Sequence, residues 1–210
     1  VAKEVAKAVD IEAERSGVMR DLLRGSIGVG AYCALLRNLH AIYSALEAAL
    51  DQAVAEPGLR HLQDPSLRRS ASLAQDLDHL HAGRWQDDFA LEPATAAYIE
   101  RLRSLAIDAP RRLAAHAYVR YLGDLHGGQV LQKVVMQRFG LGGGDGTRFY
   151  EFGPPTEVER LRQDFRAGLA RVPASAADAV EIVAEARWAF GMHKTLFVEL
   201  QARHGGATPA

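Results

Sequence analysis

The sequence predicts an all-α, single-domain fold over residues 1–210, and three observations carry that prediction. Apolar residues recur at three- and four-residue steps through most of the chain, the period of a helix with one buried face. No stretch of useful length alternates apolar and polar residues as a half-buried strand does. Breakers such as Pro57-Gly58, Pro110 and Pro154-Pro155 interrupt the periodic stretches at helix-length intervals. The size agrees: 210 residues with 48% hydrophobic and 24% charged side chains suit one globular domain with a real core.

Residues 3–24 are charged and Ala-rich, with Val5, Val9, Ala13 and Met19 as apolar marks, and read as a first helix. From Gly30 to about Ala53, Leu35, Leu39, Ile42, Leu46 and Leu50 form an amphipathic stripe that stops before Pro57-Gly58. Residues 65–82 read as a helix with Pro65 in its first turn and Gly83 beyond its end. Thr95 to Leu105 reads as another, ending near Pro110. Arg111 to Phe139 is a long helical pattern interrupted by Gly123, Gly127 and Gly128, followed by a glycine-rich loop over Gly140–Gly146. Arg148–Phe152 reads as a few extended residues. Thr156 with Glu159 three residues on forms a capping-box pattern for the next helix. Ser175 to about Arg203 is the final helix, its apolar stripe running through Ile182, Ala186, Phe190, His193, Phe197 and Leu200.

Charge and cysteine content narrow the function. Lys and Arg number 25 against 26 Asp and Glu, so the chain as a whole is not built to hold nucleic acid or an anionic membrane. Cys33 is the single cysteine, which excludes an intrachain disulfide and a thiolate zinc site; its apolar setting marks it as a small buried hydrophobe. The opening Val1-Ala2-Lys3-Glu4 is charged and helical in character, unlike a signal peptide, and the longest apolar run, Ile27–Leu36, is too short for a membrane span. A soluble, cytoplasmic protein is expected. The glycine-rich loop lacks the strand before it and the Lys-Ser/Thr ending of a phosphate loop. Asp76-x-x-His79 and Asp78-x-x-His81 have metal-ligand spacing, but a di-iron bundle needs that motif on two helices; a polar exposed face is expected.

The informative segment is Ala115–Leu131. Three glycines inside one helix carry a propensity penalty of roughly 2–3 kcal/mol relative to alanine. That cost is tolerated where something must lie against the backbone or where the helix must bend. Gly123 and Gly127 are four apart and share one face, so a flat, bulky ligand has room to rest on it. Asp124 and His126 fall about 80° to either side of that face. The competing explanation is close helix–helix packing through small residues.

Tyr121–Gln129 closely resembles the distal-helix signature of the haem oxygenase family, Tyr-Leu-Gly-Asp-Leu-Ser-Gly-Gly-Gln, departing from it at His126 where the family usually has Ser. Met19-Arg20-Asp21, Ile42–Glu47, and Ala189-Phe190 through Leu196–Leu200 resemble further family segments in the same order. The resemblance implies a helical fold in which haem lies between a proximal N-terminal helix and a Gly-kinked distal helix. It also implies conversion of haem, both substrate and cofactor, to biliverdin, carbon monoxide and ferrous iron with dioxygen. Electrons would come from a donor such as a reductase or ferredoxin, approaching the basic rim. A haem- or tetrapyrrole-binding carrier or sensor of the same fold is the alternative reading, and a thiaminase-like or di-iron relative a third.

Residue by residue, the resemblance makes Asp124 the acid that anchors a water network at the iron, with Tyr43, Arg120 and Gly123 in support. The resemblance also makes Gly123 and Gly127 haem-contacting positions, whose backbone would crowd the iron-bound oxygen and tilt it along the macrocycle, with Phe190 helping to line the pocket. Lys3 and Lys7, Arg162 and Arg166, and Tyr118 match propionate-binding positions. Each basic pair lies one helical step apart on one face, and the mild mutual repulsion of Lys3 and Lys7 favours an external anion between those two charges. The family's iron ligand is a histidine three residues after the second basic residue of the first helix; here Asp10 stands there. Three arrangements follow: Asp10 holds the iron directly or through water, His126 serves as the axial ligand, or the site binds a tetrapyrrole without degrading it.

Overall fold

The computed structural model of the protein describes residues 16–142 and 144–205. Helices account for most of them, and among the described residues there is no strand. Helix α1 (Gly17–Leu23) leads to α2 (Val29–Gln52), the longest element of the first half. Then follow α3 (Ser70–Leu80), the single turn α4 (Trp85–Asp88) and α5 (Pro93–Asp108). Next come α6 (Leu113–Ala117), a π turn over Tyr118–Leu122 and α7 (Gly123–Phe139). Helices α8 (Pro155–Leu169) and α9 (Ala176–His204) complete the chain.

The α2 stripe read from the sequence is the centre of the core. Leu35, Leu36, Ile42, Tyr43 and Leu46 are buried, as is Cys33, whose thiol burial pushes up to about 11. This helix packs against α3 and α5, while α9 packs against α1, α5 and α6. Gly17 makes one of those contacts possible. Its φ is +51°, and a Cβ there would sit 2.0 Å from the carbonyl oxygen of Phe197, so only glycine lets α1 lie on the α9 backbone.

Four local expectations are corrected. Pro65 opens a one-turn 3-10 helix (Pro65–Leu67), and α3 starts separately at Ser70. The break is fixed by Glu47 on α2, whose carboxylate accepts from the backbone N–H groups of Arg69 and Ser70 and from the Ser70 hydroxyl. Arg148–Tyr150 is a 3-10 turn rather than extended, because the Asp76 carboxylate accepts the N–H groups of Arg148 and Phe149 at 2.8 Å each. Asp76 is therefore fully buried and not part of a polar exposed face, although Asp78 and His79 are exposed. The capping box at Thr156 does not form: Pro155 occupies the first turn, and Glu159 accepts from Arg162 and Gln163 instead. Ser175 does cap its helix, accepting from the Asp178 N–H at 3.1 Å.

Candidate active site

The Arg111–Phe139 pattern is one helical path with a defect in the middle. The backbone widens to a π turn over Tyr118–Leu122 and returns to α geometry at Gly123. Single π turns inside helices are rare and cluster at functional sites. The glycines that follow divide into two kinds. A Cβ built on Gly123 or Gly127 meets nothing within 4 Å, whereas one on Gly128 would touch Tyr150 at 3.7 Å. Gly128 serves packing, and Gly123 and Gly127 face open space.

That space is a cleft of about 280 Å³. Its glycine side is Gly123, Gly127 and Gly128, with Val119, Arg120 and Asp124 beside them. Met19 and Leu23 from α1 and Phe190, His193 and Phe197 from α9 supply most of the apolar wall. Tyr43 lies behind this surface, fully buried, and its hydroxyl donates to Oδ2 of Asp124. Burial pushes the Asp124 carboxyl up to about 6, against the opposing pull of Arg120, the Tyr43 hydrogen bond and Arg69. The Arg120 guanidinium stands 5.6 Å from the centre of the Tyr43 ring. An acid that is half-ionised near pH 6 therefore sits at the edge of a largely apolar slot whose glycine side carries no side chains.

Behind the α9 wall runs a second polar chain. Nδ1 of the buried His116 pairs with the Tyr98 hydroxyl at 2.9 Å, and its Nε2 with Glu185 at 3.1 Å. Glu185 in turn binds Arg101 in a bidentate pair at 2.9 and 2.6 Å. Sequence reading missed this chain, since its members come from three separate helices.

The structure thus brings Tyr43, Arg120, Gly123, Asp124, Gly127 and Phe190 together. Tyr118 packs edge-on against Phe190, with ring centres 6.5 Å apart. The expected partners on α8 stand elsewhere. Arg162 binds Glu159 and the Leu125 carbonyl, and Arg166 donates to Nε2 of His126 at 2.8 Å, so neither arginine lines the cleft. His126, the alternative axial ligand, is not among the residues that line the cleft. Its Nδ1 is bonded to the Leu122 carbonyl at 2.6 Å and its Nε2 to Arg166, on the flank facing α8. Lys3, Lys7 and Asp10 lie outside the described residues. The side chain that sequence reading passed over is His193, which the apolar spacing of α9 presented as one more core position.

The sequence profile described as heme oxygenase matches residues 2–199. The chain belongs to the haem oxygenase family. Heme oxygenase 1 of Synechocystis is 36% identical over 199 residues, spanning 95% of this chain and 82% of that protein. A solved haem oxygenase, heme oxygenase-1 from Synechocystis in complex with heme, superposes with a TM-score of 0.87 at 35% identity, covering 96% of this chain and 91% of that one. The heme oxygenase structure from Leptospira interrogans gives 0.88 at 31% identity, covering 95% and 97%. The all-α class and the family resemblance of Tyr121–Gln129 are both borne out by these haem oxygenase matches.

Proposed function

We propose that the protein is a haem oxygenase in activity as well as in family, cleaving haem oxidatively to biliverdin, carbon monoxide and ferrous iron. The observation that carries this reading is the open Gly123–Gly127 face beside Asp124. A flat macrocycle fits a slot whose one wall has no side chains and whose other walls are Met19, Leu23, Phe190 and Phe197. When bound, haem supplies the iron at which dioxygen is reduced, with electrons from an external reductase or ferredoxin.

The chain's own task is orientation and proton supply. Asp124 holds water at the slot through its free carboxylate oxygen while Tyr43 fixes the other. Its elevated pKa lets it take up and return a proton near neutral pH. Arg120 keeps that carboxylate partly ionised. Tyr118 and the exposed Arg166 stand on elements flanking the slot and are proposed to meet the propionates, together with Arg162, Lys3 and Lys7. Asp10 is proposed to meet the iron directly or through water, its carboxylate being a hard oxygen donor that favours the ferric state.

The decisive experiment loads the purified protein with haemin and adds reductant, dioxygen and catalase. Decay of the Soret band with growth of a biliverdin band is the expected result. A Soret band that persists under those conditions overturns the reading. Asp124→Ala is expected to lower the biliverdin rate about 100-fold or more, with haemin still bound.

A further inference from the structure

We propose that His126 is a positioning residue: it holds the Arg166 guanidinium at the flank of α7, with its charge uncancelled, for a propionate carboxylate of haem. The assignment rests on haem occupying the cleft. Arg166 on α8 donates from Nη2 to Nε2 of His126 at 2.8 Å, and Nδ1 of the same ring meets the Leu122 carbonyl at 2.6 Å. A guanidinium can only donate and a carbonyl oxygen can only accept. Both ends therefore fix the same state of the ring. Nδ1 carries the proton, Nε2 offers a lone pair, and the imidazole is neutral.

That neutrality is the informative point. The other two arginines of α8 pair with carboxylates, Arg160 with Glu157 and Asp164, and Arg162 with Glu159. A carboxylate restrains an arginine and cancels its charge; a neutral acceptor restrains it and leaves the charge for a further anion. A guanidinium has five N–H donors, so a bond from one nitrogen still leaves a fork for a carboxylate. A side chain already tethered also gives up less rotamer freedom when that anion arrives.

The place suits a propionate. His126 adjoins Gly127, a cleft residue, and Leu122 ends the π turn that precedes Gly123. The cleft walls are largely apolar, so the carboxylates of a bound haem belong at its rim and in water. The device is particular to this chain, since the distal-helix signature usually has Ser where His126 stands.

The test measures binding and needs no turnover. Both side chains are exposed, so substitution leaves the core untouched. Full-length wild type, His126→Leu, His126→Gln, Arg166→Ala and the double variant His126→Leu/Arg166→Ala are titrated with haemin, and with haemin dimethyl ester, in which the propionate charges are masked. His126→Leu is expected to weaken haemin binding about 5- to 10-fold. It should leave ester binding unchanged and add nothing to Arg166→Ala. His126→Gln, whose amide oxygen can still accept from Arg166, should stay within about twofold of the wild type. The proposal is overturned if His126→Leu binds haemin as the wild type does, if it loses ester binding equally, or if its loss persists in the Arg166→Ala background. Equal losses in His126→Gln and His126→Leu overturn it as well. A wild type that binds haemin but keeps its Soret band under reductant and dioxygen ends the haem-degrading reading and leaves this one standing. A wild type that takes up no haemin overturns both.

Discussion

Asp124 and Tyr43 show how one contact sets chemistry at the residue scale. Burial raises the carboxyl to about 6, and the Tyr43 hydroxyl opposes that rise by donating to the charged form. The working form is the carboxylate that orders water, so turnover is expected to fall as pH drops through about 6. Tyr43→Phe deletes the donor and leaves burial in place, so the acid limb should move to higher pH. Initial rates of biliverdin formation from pH 5 to 9 check this, and an unmoved limb means that another group sets it. Tyr43 was legible in the sequence only through the family resemblance, because 81 positions separate it from its partner.

For α7 as an element, the sequence penalty and the site are the same fact. Neither Gly123 nor Gly127 uses a positive φ, and a Cβ on either meets nothing within 4 Å. Alanine at either position should therefore stabilise the ligand-free protein, by up to about 1 kcal/mol. The same methyl narrows the slot, so haemin affinity and biliverdin rate should fall. Urea melts and haemin titrations on Gly123→Ala and Gly127→Ala test the opposed signs together. Gly168→Ala is the contrast: its Cβ would stand 2.8 Å from the His61 carbonyl oxygen, so that variant should lose stability with no direct effect on the slot. Elements defined by their own residues, such as the α2 stripe and the Ser175 cap, were readable in the sequence. Those defined by distant partners were not. Glu47 sets the start of α3 from 22 residues away, and Asp76 curls Arg148–Tyr150 from 72. His193 was hidden for a related reason: at three-residue spacing from Phe190, an imidazole on an apolar stripe looks like core until a cleft is found beside it.

Across the whole molecule, buried carboxylates act on stability with opposite signs. At Glu185 burial pushes the pKa up, but hydrogen bonds from His116 and Arg101 outweigh it and hold the group at about 2. A folded-state pKa below the unfolded one gives stability that is present above about pH 4.5 and lost as pH falls toward 2. Asp76 runs the other way. Burial outweighs its two backbone hydrogen bonds and raises it to about 6, so the folded state binds a proton more tightly than the unfolded chain does. Its contribution is largest below about pH 4 and declines as pH rises to about 6, at no more than roughly 1.4 kcal/mol per pH unit. Asp76→Asn removes the titration while keeping one acceptor oxygen for the Arg148–Tyr150 turn. The stability of wild type minus that of Asp76→Asn, from urea melts, is therefore expected to fall between pH 4 and 6 and to be flat above. Glu185→Gln should lose stability at pH 7 and converge on the wild type as pH approaches 2. If the Asp76 difference instead rose with pH, its two N–H donors would outweigh its burial, and the turn beside Gly128 would be held by a charge rather than by a shared proton.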